Sequence, residues 1–133
     1  MSQQNVEIVR RGVEAANRSD LERFLIYLDP HVEIRTAIIG GAEGKVYRGH
    51  DGARKWAADG EESFGEIKWE VREFRDLGNR VLALGRVQAR GRGSGLELDS
   101  PTGWLCTVRG GKLVKIDGFL SREEALEAAG LRE

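Results

Sequence analysis

The chain has 133 residues, 40% of them hydrophobic and 32% charged, a size and balance that exclude a disordered chain and predict one domain over 1–133 with a core of its own. Its 21 Lys and Arg against 22 Asp and Glu leave a net charge of -1, which supplies no field for steering onto nucleic acid or an acidic membrane. A single cysteine excludes an internal disulfide framework, and with only two distant histidines no metal site is expected. No apolar run approaches the ~20 residues of a membrane span, and the opening residues lack the basic and apolar regions of a signal peptide, so a cytoplasmic protein is expected.

Val6, Val9, Val13 and Ala16 recur at helical spacing and mark one face of a first helix. Ser19-Asp20-Leu21-Glu22 reads as a capping box with Ser19 as N-cap. The helix it opens carries Leu21, Phe24, Leu25 and Leu28 and ends before Pro30. Val32 to Ile38 alternates as a strand, and Gly40 to Gly44 reads as a loop. From Asp51 the spacing of Ala53, Trp56, Ala57 and Phe64 predicts a short third helix, weakened by Gly60.

From Ile67 the period changes to two. Ile67–Leu77 and Arg80–Arg92 form strands around the turn Gly78-Asn79. A further strand runs from the Arg92–Gly95 turn to Val108, with a bulge or kink expected at Ser100–Gly103 because of Pro101. Gly110-Gly111 turns the chain into the last strand, Lys112–Leu120. Ser121-Arg122-Glu123-Glu124 is a second capping box, opening a helix that Gly130 closes. Helices segregated from an antiparallel meander make an α+β domain.

This order resembles the nuclear transport factor 2-like superfamily, in particular its SnoaL-like branch of polyketide cyclase-like and ketosteroid isomerase-like domains. The resemblance is carried by Ser19-Asp20-Leu21, Asp29-Pro30-His31-Val32-Glu33, Tyr47-Arg48-Gly49-His50-Asp51-Gly52, Gly78-Asn79-Arg80-Val81, Val108-Arg109-Gly110-Gly111-Lys112-Leu113 and the ending Glu124–Leu131. It implies a cone, a strongly curved antiparallel sheet wrapped around the N-terminal helices as in cystatin-like α+β barrels, with an apolar pocket inside. Strand alternation from the two-residue turns then nominates Ile34, Trp56, Phe74, Leu105, Ile116 and Gly118 as pocket lining, with Glu70 and Arg72 as polar contacts.

Ketosteroid isomerase chemistry needs a carboxylate base and two oxyanion donors in an apolar cavity. Aligned through the shared turns, those positions fall on Ile34, Gly12 and Gly103, none of which exchanges a proton. Two readings remain. One is a pocket domain that binds a small, apolar, oxygenated molecule without a cofactor. The other is a cofactor-independent cyclase, isomerase or lyase using Glu70 as acid or base and Arg72 to polarise an oxygen, against the plainer reading of that pair as a surface ion pair. His31 and His50 fall in surface turns, and Cys106 in a strand reads as packing.

Val81-Leu82-Ala83-Leu84 is continuously apolar, so both sides of that strand are covered. Leu82, Leu84, Trp104 and Cys106 are expected to form an outer patch buried in a homodimer. The competing cover is the C-terminal helix Ala125–Ala129 of the same chain.

Overall fold

The computed structural model describes residues 2–36, 39 and 45–132. Its elements run α1 (Ser2–Asn17), α2 (Leu21–Ile26), β1 (Leu28–Arg35), β2 (Val46–Arg48), α3 (Gly49–Ser63), β3 (Phe64–Asp76), β4 (Arg80–Gly91), β5 (Glu97–Arg109), β6 (Lys112–Phe119) and α4 (Arg122–Ala128). The six strands form one unclosed sheet in the order β2-β1-β6-β5-β4-β3. Every pair is antiparallel except β1 with β6, which run parallel. Among the described residues no helix is long and apolar enough to cross a membrane.

Local chemistry explains most boundaries. At the end of α1, Asp20 N–H bonds the Ala15 carbonyl at 3.0 Å and Ser19 N–H bonds the Ala16 carbonyl at 3.1 Å. This is a Schellman closure with Ser19, at φ 55, in the left-handed place that glycine prefers. The N-cap of α2 is therefore Asp20 rather than Ser19, its carboxylate accepting from Arg23 N–H at 3.2 Å. The same closure ends α4, with Gly130 at φ 77 in the left-handed place, and Ser121 caps its start as expected.

The helix α2 ends before Pro30 as expected, but already at Ile26, so Leu28 belongs to β1 and not to the helix. Pro30 lies inside that strand, within the Leu28–Glu33 segment where pairing to β6 is interrupted. Pro101 pairs with Arg86 in an unbroken β4–β5 ladder, because β6 stops at Phe119, opposite Gly103, and flanks it with no strand. The third helix is longer than its spacing predicts, starting at Gly49 and ending at Ser63, while Phe64 belongs to β3. Gly60 within it meets the Ile39 side chain, where a Cβ would stand 2.9 Å from Cδ1. Ala37 and Ile38, at the end of the expected first strand, and the expected Gly40–Gly44 loop lie outside the described residues.

Two one-residue bulges decide which residues face the helices. Val71 pairs with Gly85 and Glu73 with Leu84, so Arg72 is an extra residue in β3. Val108 pairs with Leu113 and Thr107 with Lys115, so Val114 is an extra residue in β6. Each bulge shifts side-chain parity by one beyond it, in β3 as far as Glu66, where Gly65 is a further extra residue. The inner face, against α1, α2 and α3, then carries Ile34, Trp69, Val81, Ala83, Trp104, Cys106 and Ile116. The outer face carries Leu82, Leu84 and Leu105 under Ala125, Leu126 and Ala129 of α4.

That arrangement corrects the expected outer patch. Trp104 and Cys106 pair with Ala83 and Val81 on the inner face, so they are absent from it. Leu82 and Leu84 do point outward, but α4 of the same chain covers them to 0% and 1% exposure. The cover that argued for a second copy is supplied within the chain, and Trp104→Glu would damage the core rather than an interface.

Two substitutions test this backbone account through urea midpoints at unchanged m-value. Ser19→Gly relieves the left-handed serine and gains about 0.5–1 kcal/mol. Gly85→Ala drives a Cβ into the Glu70 carbonyl oxygen at the bulge and loses more than about 2 kcal/mol.

Candidate functional site

On the inner face a small apolar chamber of about 50 Å³, open on one side, lies between α1, α3 and the sheet. Its walls are Val9, Gly12, Val13 and Ala16 of α1, Phe24 of α2, Trp56 of α3, and Ile34, Thr36, Trp69, Trp104, Cys106, Leu113 and Ile116 from the sheet and its margin. Above it a cleft of about 1000 Å³ opens between the α1–α2 corner, α3 and the β3–β5 end of the sheet. Ala16, Phe24, Trp56 and Trp69 line both spaces and mark where the two meet.

The aromatic side chains are fixed by named contacts. Trp69 meets Trp104 edge to face with ring centroids 5.1 Å apart, and Phe24 lies tilted against Trp56 at 5.6 Å. Asn17, in the last turn of α1, clamps Trp69 through its backbone. Its Nδ2 donates to the Trp69 carbonyl and its Oδ1 accepts from the Trp69 N–H, both at 2.8 Å. The amide thus occupies the outward backbone groups of an edge strand where another strand could add. Trp56 Nε1 donates to Thr36 Oγ1 at 3.1 Å, and that hydroxyl donates to the Ile39 carbonyl at 3.4 Å. The polar atoms at the chamber are therefore used within the protein. Among the described residues no buried side-chain polar atom lacks a partner.

Cys106 is the one titratable side chain among the described residues of the chamber wall. Burial, aided by the charge of Asp117, pushes its thiol up to about 12, so it is an inert packed group. The cleft mouth is charged in both senses, with Asp20, Glu61 and Glu97 beside Arg54, Lys68 and Arg92. Several of these are already engaged, Arg54 with Glu22 at 3.1 Å and Arg92 with the Glu61 carbonyl at 2.8 Å. No group of three potential metal ligands comes together among the described residues.

A separate cluster clamps α3 to β2. The buried Tyr47 hydroxyl donates to Asp59 at 2.6 Å, and Lys55 donates to the other carboxylate oxygen at 2.7 Å. Burial, then that hydrogen bond to Asp59, pushes the phenol up to about 12. The Lys55 and Tyr47 hydrogen bonds hold Asp59 below its ordinary range. All its polar partners are internal, and Tyr47, Lys55 and Asp59 line neither space.

The structure places the nominated residues as follows. Ile34, Trp56 and Ile116 line the chamber. Phe74 is on the same face but under α1, with Arg10 stacked 4.8 Å over its ring, and does not reach the chamber. Gly118, opposite Trp104, is covered by Thr36, whose Cγ2 would stand 3.1 Å from a Cβ there. Leu105 faces α4 on the opposite side, because the Val114 bulge shifts its row. Gly103 also faces α4, where a Cβ would stand 2.5 Å from Ala125 Cβ. Glu70 and Arg72 pair with each other at 2.7 Å on the outer surface, with side chains 47% and 64% exposed. The Arg72 bulge turns Glu70 away from the row of Phe74, so the pair is a surface ion pair and neither residue touches the chamber or the cleft. His31 is exposed, and His50 is tied through Nε2 to the Leu28 carbonyl at 3.0 Å. Trp69, Trp104, Gly12 and Thr36, which do line the chamber, are missed by alternation from the turns.

Comparison with known proteins places this arrangement. The family model described as the SnoaL-like domain matches residues 9–116. No curated protein matches the chain significantly. Among solved structures, an NTF2-like protein from Burkholderia xenovorans LB400 is 25% identical with a TM-score of 0.79, over 97% of both chains. A candidate SnoaL-like polyketide cyclase from Jannaschia sp. CCS1 is 20% identical with a TM-score of 0.75, over 89% of this chain and 85% of its own. A protein with a ketosteroid isomerase-like fold from Catenulispora acidiphila DSM 44928, in complex with trimethylamine, is 16% identical with a TM-score of 0.77, over 95% and 94%.

The thiol supplies a direct check of the chamber wall. At about pH 8 in native buffer Cys106 should not react with an aromatic disulfide reagent over hours, and one equivalent should react at once in denaturant. Fast native reaction would show that the wall is open to solvent.

Proposed function

The chain belongs to the SnoaL-like domain family, and we propose that it binds a small, apolar, oxygen-bearing molecule across the cleft and the aromatic chamber, with no cofactor. The observation that carries this reading is that Ala16, Phe24, Trp56 and Trp69 line both spaces. Through them an apolar chamber too small for a whole ligand adjoins a cleft of about 1000 Å³, a size at which drug-sized molecules are bound. Apolar surface laid on these rings leaves water at about 25 cal/mol per Å², and the rings lose little conformational freedom in the exchange because their neighbours already hold them. Oxygen atoms on the ligand face the mouth, where Asn17 and Arg54 lie at the cleft.

The structural relative from Catenulispora acidiphila, in complex with trimethylamine, offers a precedent for a compact ligand in this fold. The reading does not call on Glu70 or Arg72, which sit on the opposite surface.

Anilinonaphthalene sulfonate titrations test it. The folded parent should bind the dye saturably, and Trp56→Ala should weaken binding about ten-fold or more while circular dichroism stays native. Ala16→Leu, which fills space where the chamber meets the cleft, should do the same. Glu70→Gln and Arg72→Gln should leave binding unchanged and stability within about 1 kcal/mol. Equal dye affinity in the parent and both wall variants would remove the site; loss of binding in Glu70→Gln would restore the carboxylate to it.

A further inference from the structure

Gly12 sits in the middle of α1, facing the chamber. Glycine is the least favourable helix residue after proline, so a glycine at this place needs a reason. Conformation does not supply one, since Gly12 has no positive φ. Close packing does not supply one either. A Cβ built there would meet only Leu113 Cδ1, at the ordinary contact distance of 3.5 Å. By contrast, Gly85 and Gly103 are bare because backbone or a neighbouring helix occupies the position. What the missing side chain at Gly12 does is leave space at the chamber wall.

That space has a definite capacity. About 50 Å³ is roughly a third of the about 150 Å³ cavity that takes a benzene ring, room for a methyl or ethyl group. A water is disfavoured as the occupant, because the wall offers no free polar partner: Thr36 and Trp56 already bond each other, and Thr36 bonds Ile39. A compact alkyl group meets every condition at once.

Resting on the binding reading above, we infer that the chamber is a subsite for a single methyl or ethyl substituent of the ligand, and that Gly12 sets its size limit. The ligand class this selects is a ring bearing one short alkyl group, its ring in the cleft against Trp56, Trp69 and Phe24 and its alkyl group directed at Gly12.

The test is a series of phenols titrated against the full chain by tryptophan fluorescence: phenol, para-cresol, para-ethylphenol and para-tert-butylphenol. Each carbon seated in the chamber should tighten binding about four-fold, from phenol through para-ethylphenol. The tert-butyl group exceeds the space and should bind no better than phenol. Gly12→Ala should fold with a melting temperature at or above that of the parent, and should move the optimum down to para-cresol. Gly12→Val should remove the gain from any alkyl group. A monotonic rise through para-tert-butylphenol, or the same profile in Gly12→Ala as in the parent, would overturn the inference. If the whole series binds with one affinity that Trp56→Ala weakens, the binding site stands and the alkyl subsite falls. If none of the phenols binds saturably, both fall.

Discussion

The extra residue in β3 at Arg72 is the constraint on which the rest of the structure depends. Gly85 makes it possible, because only a bare Cα lets the Glu70 carbonyl press against the facing strand. The bulge exchanges the faces of the β3 residues from Glu66 to Val71. Trp69 is thereby turned inward beneath Asn17, and Glu70 outward beside Arg72. The second bulge, at Val114, does the same for β6 against β5 and brings Ile116 and Cys106 face to face. Between them these two residues build an inner face that is aromatic and uncharged, and an outer face that is either leucine under α4 or a lattice of ion pairs such as Arg86 with Asp99 and Arg90 with Glu97.

The consequence for function is a separation of roles. Charge resides where water screens it, on the outer surface and around the cleft mouth, where each exposed pair contributes no more than about 1 kcal/mol. Apolar surface resides in the chamber and the part of the cleft that adjoins it. The chamber's hydroxyl and indole groups satisfy one another, so an incoming apolar group displaces no needed hydrogen bond. Position in the fold does not bring chemistry with it: the family's scaffold is present, while the described residues of the chamber wall offer no group that titrates near neutral pH.

How much of this was legible in the sequence depended on how local each signal was. The Ser121 cap and the Gly78-Asn79 and Gly110-Gly111 turns were readable because their chemistry lies within four residues, and the α+β class followed from the change of period at Ile67. The small strand β2 was missed, being three residues long and defined only by its pairing to Glu33–Arg35. Alternation carried outward from the turns held up to the first bulge and failed beyond it, so Phe74 was placed on the correct face and Glu70 on the wrong one. An interior glycine at Gly85 was the available sign of the β3 bulge. Leu113-Val114-Lys115 carries no comparable sign, and the misplacement of Leu105, Trp104 and Cys106 follows from that one unsignalled residue.

The central claim is that a dry, apolar chamber lies against all three tryptophans, and xenon tests it most directly because xenon enters small apolar cavities and has little affinity for polar ones. Indole N–H resonances of 15N-labelled protein would be followed as xenon pressure rises. The account predicts saturable shifts in the signals of Trp56, Trp69 and Trp104 together, with the backbone amides of the Gly110-Gly111 turn unmoved. Indole signals that stay fixed, or that show exchange with a long-lived bound water in place of xenon, would contradict it.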